Sequence, residues 1–176
     1  MRTILSRLAI LGLIAATGAL GQATGQVSTA LTVKGSVERE ITLSVDELKT
    51  LPVQRLDDNR SVREAGGAAP AESTRRYVGC LLRDVLDRAR PAEKAPRAFR
   101  RSVVVATATD GYRVVFSWAE LYISPIGDGV LVIYERDGKP LADDEGRIAL
   151  VSLKDTRPGP RHVKWLQSVE LRTLSE

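Results

Sequence analysis

An α+β domain, mostly β-strands in mixed sheets with a few short helices, is the fold class this sequence predicts. Short β-branched runs bounded by Gly, Pro and Asp turn signals recur along the chain. Two capping-box patterns open helices of little more than a turn. Strand and helix patterns do not alternate regularly, as a doubly wound parallel sheet would require.

Taken in order, residues 29–37 and 40–43 read as two strands around a turn, and Ser44 with Glu47 opens a short helix through Lys49 that Leu51-Pro52 ends. Residues 57–76 show no apolar periodicity and read as one long loop. From Leu81, the positions Leu81, Leu82, Val85, Leu86 and Ala89 mark one face of a helix that Pro91 stops. Ser102–Thr107 is a β-branched strand, turned by Asp110-Gly111 into Tyr112–Phe116. Ser117 with Glu120 repeats the capping box. Val130–Tyr134 is a continuous apolar strand expected to be buried on both faces, followed by the Asp137-Gly138 turn. Residues 147–152 and 167–173 supply the last strands.

The start of the chain has a different character. Arg2 and Arg7 precede an apolar run from Leu8 to Leu20, then small residues including Gly21, Ala23 and Gly25. A basic start, a short apolar core and small residues suited to a peptidase predict a secretory signal over residues 1–25, with an uncleaved membrane anchor as the rival. The run is shorter than the ~20 residues a spanning helix needs, so no stable membrane span is expected after its removal. Cleavage after Gly21, Ala23 or Gly25 all fit. The remaining domain, residues 28–174, is large enough for one real core. Its expected location is the periplasm or the cell exterior.

The formal charge is +4, and +2 without Arg2 and Arg7. Basic residues alternate with acids, as in Arg83-Asp84 and Asp87-Arg88, so nucleic acid is not an expected partner. Cys80 is the only cysteine, which excludes an intrachain disulfide. The chain has no Gly-x-Gly-x-x-Gly, Walker loop, Gly-x-Ser-x-Gly or Cys-x-x-Cys, which leaves hydrolase and nucleotide-dependent readings without support.

Several short patterns keep a fixed order: Leu31-Thr32-Val33-Lys34-Gly35, Ser44-Val45-Asp46-Glu47-Leu48 with Leu51-Pro52, Tyr77-Val78-Gly79-Cys80-Leu81-Leu82, Asp110-Gly111-Tyr112, Gly138-Lys139-Pro140-Leu141, and His162-Val163-Lys164-Trp165-Leu166. In order and spacing, over about 140 residues, they resemble the molybdopterin-binding domain of the sulfite-oxidase-type oxidoreductases. The resemblance implies that fold, a helix begun by the aromatic-x-Gly-x-x-Leu pattern at Tyr77, Gly79 and Leu82, and molybdopterin as cofactor. It also implies a cysteine thiolate on molybdenum, upstream of that pattern. Residues 53–76, which fill that stretch, contain no cysteine, and Cys80 follows Gly79 inside the pattern. No Asp or Glu there replaces a soft thiolate, so the sequence offers no metal ligand and leaves the catalytic residues unknown. Cys80 is read as a small buried residue at a helix start; a thiol activated by the helix N-terminus is the alternative.

A pterin phosphate needs only donors. Arg157, Arg161, His162 and Lys164 cluster in a loop broken by Pro158, Gly159 and Pro160, and are the candidate cofactor-binding residues. The plain alternative is a solvated loop. His162 is the only histidine, which excludes a multi-histidine metal site. Trp118 and Trp165 read as core residues, with a pocket wall as the alternative, and Arg75 and Arg76 are further candidates to face an anion. Asn59-Arg60-Ser61 fits a glycosylation sequon, yet the leader equally fits a bacterial signal, and there the pattern usually carries no meaning.

Three functions follow: an exported molybdopterin oxidoreductase, a binding module for pterin, another anion or a protein partner, or a scaffold without ligand. The missing thiolate argues for weak or no molybdenum catalysis.

Overall fold

The computed structural model describes residues 25–60, 74–93 and 95–174. The expected secretory segment up to residue 24 and most of the expected loop, residues 61–73, lie outside the described residues.

Two five-stranded sheets form the frame. The first runs β2 (Ile41–Ser44), β1 (Ala30–Gly35), β10 (Leu166–Thr173), β5 (Ser102–Ala108), β6 (Arg113–Ser117). Its β1–β10 pair is parallel and its other pairs are antiparallel, so the sheet is mixed. The second runs β3 (Val53–Asp58), β4 (Arg75–Leu81), β7 (Val130–Arg136), β8 (Lys139–Pro140), with β9 (Ala149–Ser152) also on β7. Both capping boxes form. Glu47 N–H donates to Ser44 Oγ at 3.3 Å while Ser44 N–H donates to Glu47 Oε2 at 2.8 Å, opening α1 (Val45–Leu48). Ser117 and Glu120 repeat this at 3.1 and 2.7 Å to open α3 (Trp118–Tyr122).

The helix α2 (Leu82–Arg88) buries Leu82, Val85 and Leu86 against the main core, which also takes Leu31, Val104, Phe116, Val132 and Val169 from both sheets. A smaller cluster of Tyr77, Leu131, Ile133, Leu141 and Val151 covers the other face of the second sheet. Alternate residues of β7 enter the two clusters, which explains its unbroken apolar run.

Two expectations need correction. Asp57 and Asp58 end a strand and Arg75 and Arg76 begin one; their ladder pairs Asp57 with Arg76 and Asp58 with Arg75. Opposite charges across the strands supply pairing without apolar periodicity. In addition, Tyr77–Leu81 is strand, and the helix starts only at Leu82, so Cys80 sits in a sheet and not at a helix N-terminus. Gly79 is fixed there by close approach, since a Cβ would lie 2.1 Å from the Val132 carbonyl oxygen.

Candidate functional site

After β9 the chain crosses residues 153–165 before entering β10. It is anchored by reciprocal backbone bonds between Leu150 and Val163, at 2.9 and 2.8 Å. The loop therefore rides on the end of the second sheet, and its four cationic candidates point to different fates.

Arg161 is spent inside the protein. Its Nε donates to Asp155 Oδ2 at 2.8 Å, a second nitrogen contacts Asp155 Oδ1, and Nη1 donates to Glu120 Oε1 at 2.9 Å. The guanidinium also lies 4.5 Å from the Phe116 ring centroid. Burial pushes both carboxyls up, but the hydrogen bonds to Arg161 and to the Ser117 backbone outweigh it and hold Asp155 and Glu120 below the usual carboxylate range. An arginine so chelated has little left for an external phosphate.

His162 also faces inward. Its Nε2 stands 2.7 Å from Oε1 of Glu145, a carboxylate with no solvent exposure, whose Oε2 contacts Arg136. By strict geometry neither Glu145 carboxylate oxygen nor His162 Nε2 completes a hydrogen bond, so the two are held in close polar contact. Burial raises the Glu145 carboxyl, yet His162, Arg136 and Lys164 together hold it below its ordinary value. Three parts of the fold, β7, the 142–146 turn and the basic loop, thus meet on one buried charge.

Arg157 and Lys164 remain. Arg157 is exposed and makes no ion pair among the described residues. Lys164 is half-buried, with Nζ 5.9 Å from the Trp165 ring centroid. Lys164, Trp165, Tyr112, Asp110, His162 and Gly159 line an open groove of about 220 Å³. Tyr112 braces it by donating its hydroxyl to the Pro160 carbonyl at 2.5 Å. Trp165 is a wall of this groove rather than core. It is held in the left-handed region at φ 48° by its backbone bonds to Glu145 and Thr109 and by its indole N–H on the Asp143 carbonyl at 2.8 Å. Trp118 is the packing residue instead, stacked between Phe99 and Tyr122 at 4.0 and 3.8 Å.

A cavity of about 50 Å³ that shares Gly159 and His162 with the groove is lined also by Asp58, Arg60, Arg75, Tyr77, Ser152 and Arg161. Arg60, read in the sequence only as part of a sequon, reaches into it. It chelates Asp58 at 2.7 and 2.9 Å and donates to the Ser152 and Asp155 carbonyls at 3.0 Å. Arg75 lines this cavity, whereas Arg76 turns outward onto Asp57 at 2.8 Å. No periodic signal announced these acids as partners: Glu120 and Glu145 meet cations from other elements, Asp58 meets Arg60 in a polar run that reads as loop, and Asp155 meets Arg161 within the basic loop itself.

Cys80 is fully buried, its thiol 3.9 Å from the Val132 carbonyl. Burial, with a smaller push from Asp84, raises the thiol to about 12. Such a group is neither an activated nucleophile nor an available thiolate. Among the described residues no three His, Cys, Asp or Glu side chains cluster as metal ligands. The donor set therefore fits one half of a molybdopterin and not the other. Lys164 with the aromatic side chains of Tyr112 and Trp165 in the groove suits a phosphorylated planar heterocycle, while a soft ligand for molybdenum is not among the residues that line it.

Comparison with known proteins agrees with the architecture. The family described as oxidoreductase molybdopterin binding domain matches residues 22–175. Among solved structures, the sulfane dehydrogenase SoxCD from Paracoccus pantotrophus superposes with a TM-score of 0.62 at 17% identity, over 82% of this chain and 38% of that one. The chain thus spans well under half the length of that protein, and at this identity the likeness concerns the fold. No curated protein matches in sequence. With nearly the whole chain matched and the sheets of that fold in place, this protein belongs to the oxidoreductase molybdopterin-binding domain family.

Proposed function

We propose that this is an exported, non-catalytic member of the family, a periplasmic or secreted binding module whose ligand is a phosphorylated pterin and which performs no molybdenum redox chemistry. The observation that carries the reading is Cys80: the chain's only thiol is sealed in β4 and held protonated. The groove beside Trp165 supplies the binding half. Lys164 would hold the phosphate, Arg157 would add charge at the rim, and the aromatic walls would take the ring; the pterin would bring only an anion and a planar surface. Arg161 and His162 act behind them by fixing the loop. Export rests on the basic and apolar start of the chain. Among the described residues no helix is long and apolar enough to cross a membrane.

The test is retention of pterin, read by fluorescence after release, on protein from a host that makes molybdopterin. Lys164→Ala should weaken retention about tenfold or more, as expected when a charged hydrogen-bond donor is lost. Equal retention by wild type and Lys164→Ala would remove the groove from the account. A folded wild type carrying no pterin would leave the scaffold reading.

A further inference from the structure

The chain's only histidine stands where the two cavities join. His162 lines both, and its side chain keeps 23% exposure although Nε2 is buried 2.7 Å from Glu145 Oε1. A nitrogen lone pair would repel a carboxylate oxygen at that distance, so Nε2 carries a hydrogen and the neutral ring keeps its lone pair on Nδ1. Nδ1 lies across the ring from Nε2 and points away from Glu145, and it is where the next proton is gained. The acids around it are already engaged. Glu145 contacts Arg136 from β7 and feels Lys164. On the cavity side Asp58 is chelated by Arg60, Arg161 is held by Asp155 and Glu120, and Arg75 and the Tyr77 phenol complete the ionisable lining. On the groove side Asp110 is the one acid, and its carboxylate accepts the Tyr112 N–H at 2.8 Å. A proton on His162 therefore adds positive charge to a wall that already holds Lys164, and an anion from solution offsets it.

We propose that His162 is a proton-linked anion contact of the groove: protonated at Nδ1, it joins Lys164 as a second cationic donor, so the groove holds an oxyanion of the phosphate or sulfate kind more tightly as pH falls from about 8 to about 5. This rests on the groove being a binding site. It adds a pH dependence that Lys164 alone does not give, since lysine side chains ordinarily titrate well above that range. The sign follows from linkage. An anion that binds the protonated histidine better must raise the histidine's hold on its proton by the same factor.

Inorganic sulfate is the probe, because its charge is constant over this range whereas a phosphate monoester gains a proton at about pH 6. Its affinity for the wild-type protein, read by calorimetry at constant ionic strength, should rise about tenfold from about pH 8 to about pH 5. Saturating sulfate should move the titration midpoint of the single histidine's ring-proton NMR signals up by about one pH unit. His162→Gln, which keeps a donor toward Glu145, should bind sulfate equally at both pH values. An unmoved midpoint in the wild type overturns the proposal whether or not the variant folds. If Lys164→Ala then still loses pterin, the groove stands and only the histidine's part in it is rejected. A midpoint shift of full size in Lys164→Ala places the anion in the adjoining cavity and overturns the assignment to the groove. Sulfate that binds at neither pH overturns both.

Discussion

A thiol raised to about 12 stays protonated throughout the pH range in which proteins of this kind are stable, and Cys80 is also screened from solvent on all sides. Its modification by an aromatic disulfide at pH 8 should therefore be about a thousandfold slower in native than in urea-unfolded protein. Equal rates would show that the thiol is accessible. Glu145 gives a second residue-level expectation. Removing Arg136 leaves the buried Glu145 carboxylate with only His162 and Lys164 as cationic neighbours, so Arg136→Met should cost about 2 kcal/mol at pH 7. Adding Glu145→Met should restore most of it, as read by denaturant unfolding. The pH dependence has a definite sign. Because the folded Glu145 carboxyl lies below its ordinary 4.5, it contributes stability above that value and loses it as pH falls through the folded value. Asp155 and Glu120, held down by Arg161, titrate in the same direction. Melting temperature should thus drop steeply below about pH 4.5, and less steeply in the Glu145→Met, Arg136→Met double variant.

Elements differ in how far local sequence determines them. The capping boxes at Ser44 and Ser117 form as read, since both partners lie within four residues. Ser117→Ala should accordingly cost about 1 kcal/mol. The strand β7 was legible through its apolar run, and α2 through its periodic face. The end of β3 and the start of β4 were not, because Asp57, Asp58, Arg75 and Arg76 pair by charge across the ladder and carry no apolar alternation. Cys80 was misplaced because the helical periodicity of Leu81–Ala89 adjoins a strand without a turn signal between them. At the site, the cations of the basic loop could be identified from sequence, but their availability could not. Arg161 finds Glu120 41 residues away, and His162 finds a glutamate in another turn. The β4–β7 register is set by backbone contact at Gly79; Gly79→Ala should destabilise by about 3 kcal/mol, far beyond its effect on an exposed strand. An unchanged unfolding midpoint would show that this contact is not held in solution.

For the molecule as a whole, the family's architecture is present while a ligand for the metal its family name implies is not among the described residues. Two mixed sheets, the packed helix α2 and the loop into β10 give the family's frame. Within that frame Arg161 and His162 face acidic side chains of the fold, Lys164 adds to the field on Glu145, and Arg157 makes no ion pair among the described residues. We propose that the groove beside Lys164 takes an anion with a flat ring; the chain's only thiol, Cys80, is not among the residues that line it. Binding at this groove should weaken with added salt, because Lys164 lines it and is only half-buried, and Arg157 in the same loop is exposed. The most direct measurement is the molybdenum-to-pterin ratio of protein purified from its exported compartment in a host competent for molybdopterin synthesis, with Cys80→Ala alongside. The account predicts pterin with no molybdenum above the level of the variant, whereas stoichiometric molybdenum in the wild type, lost in Cys80→Ala, would contradict it.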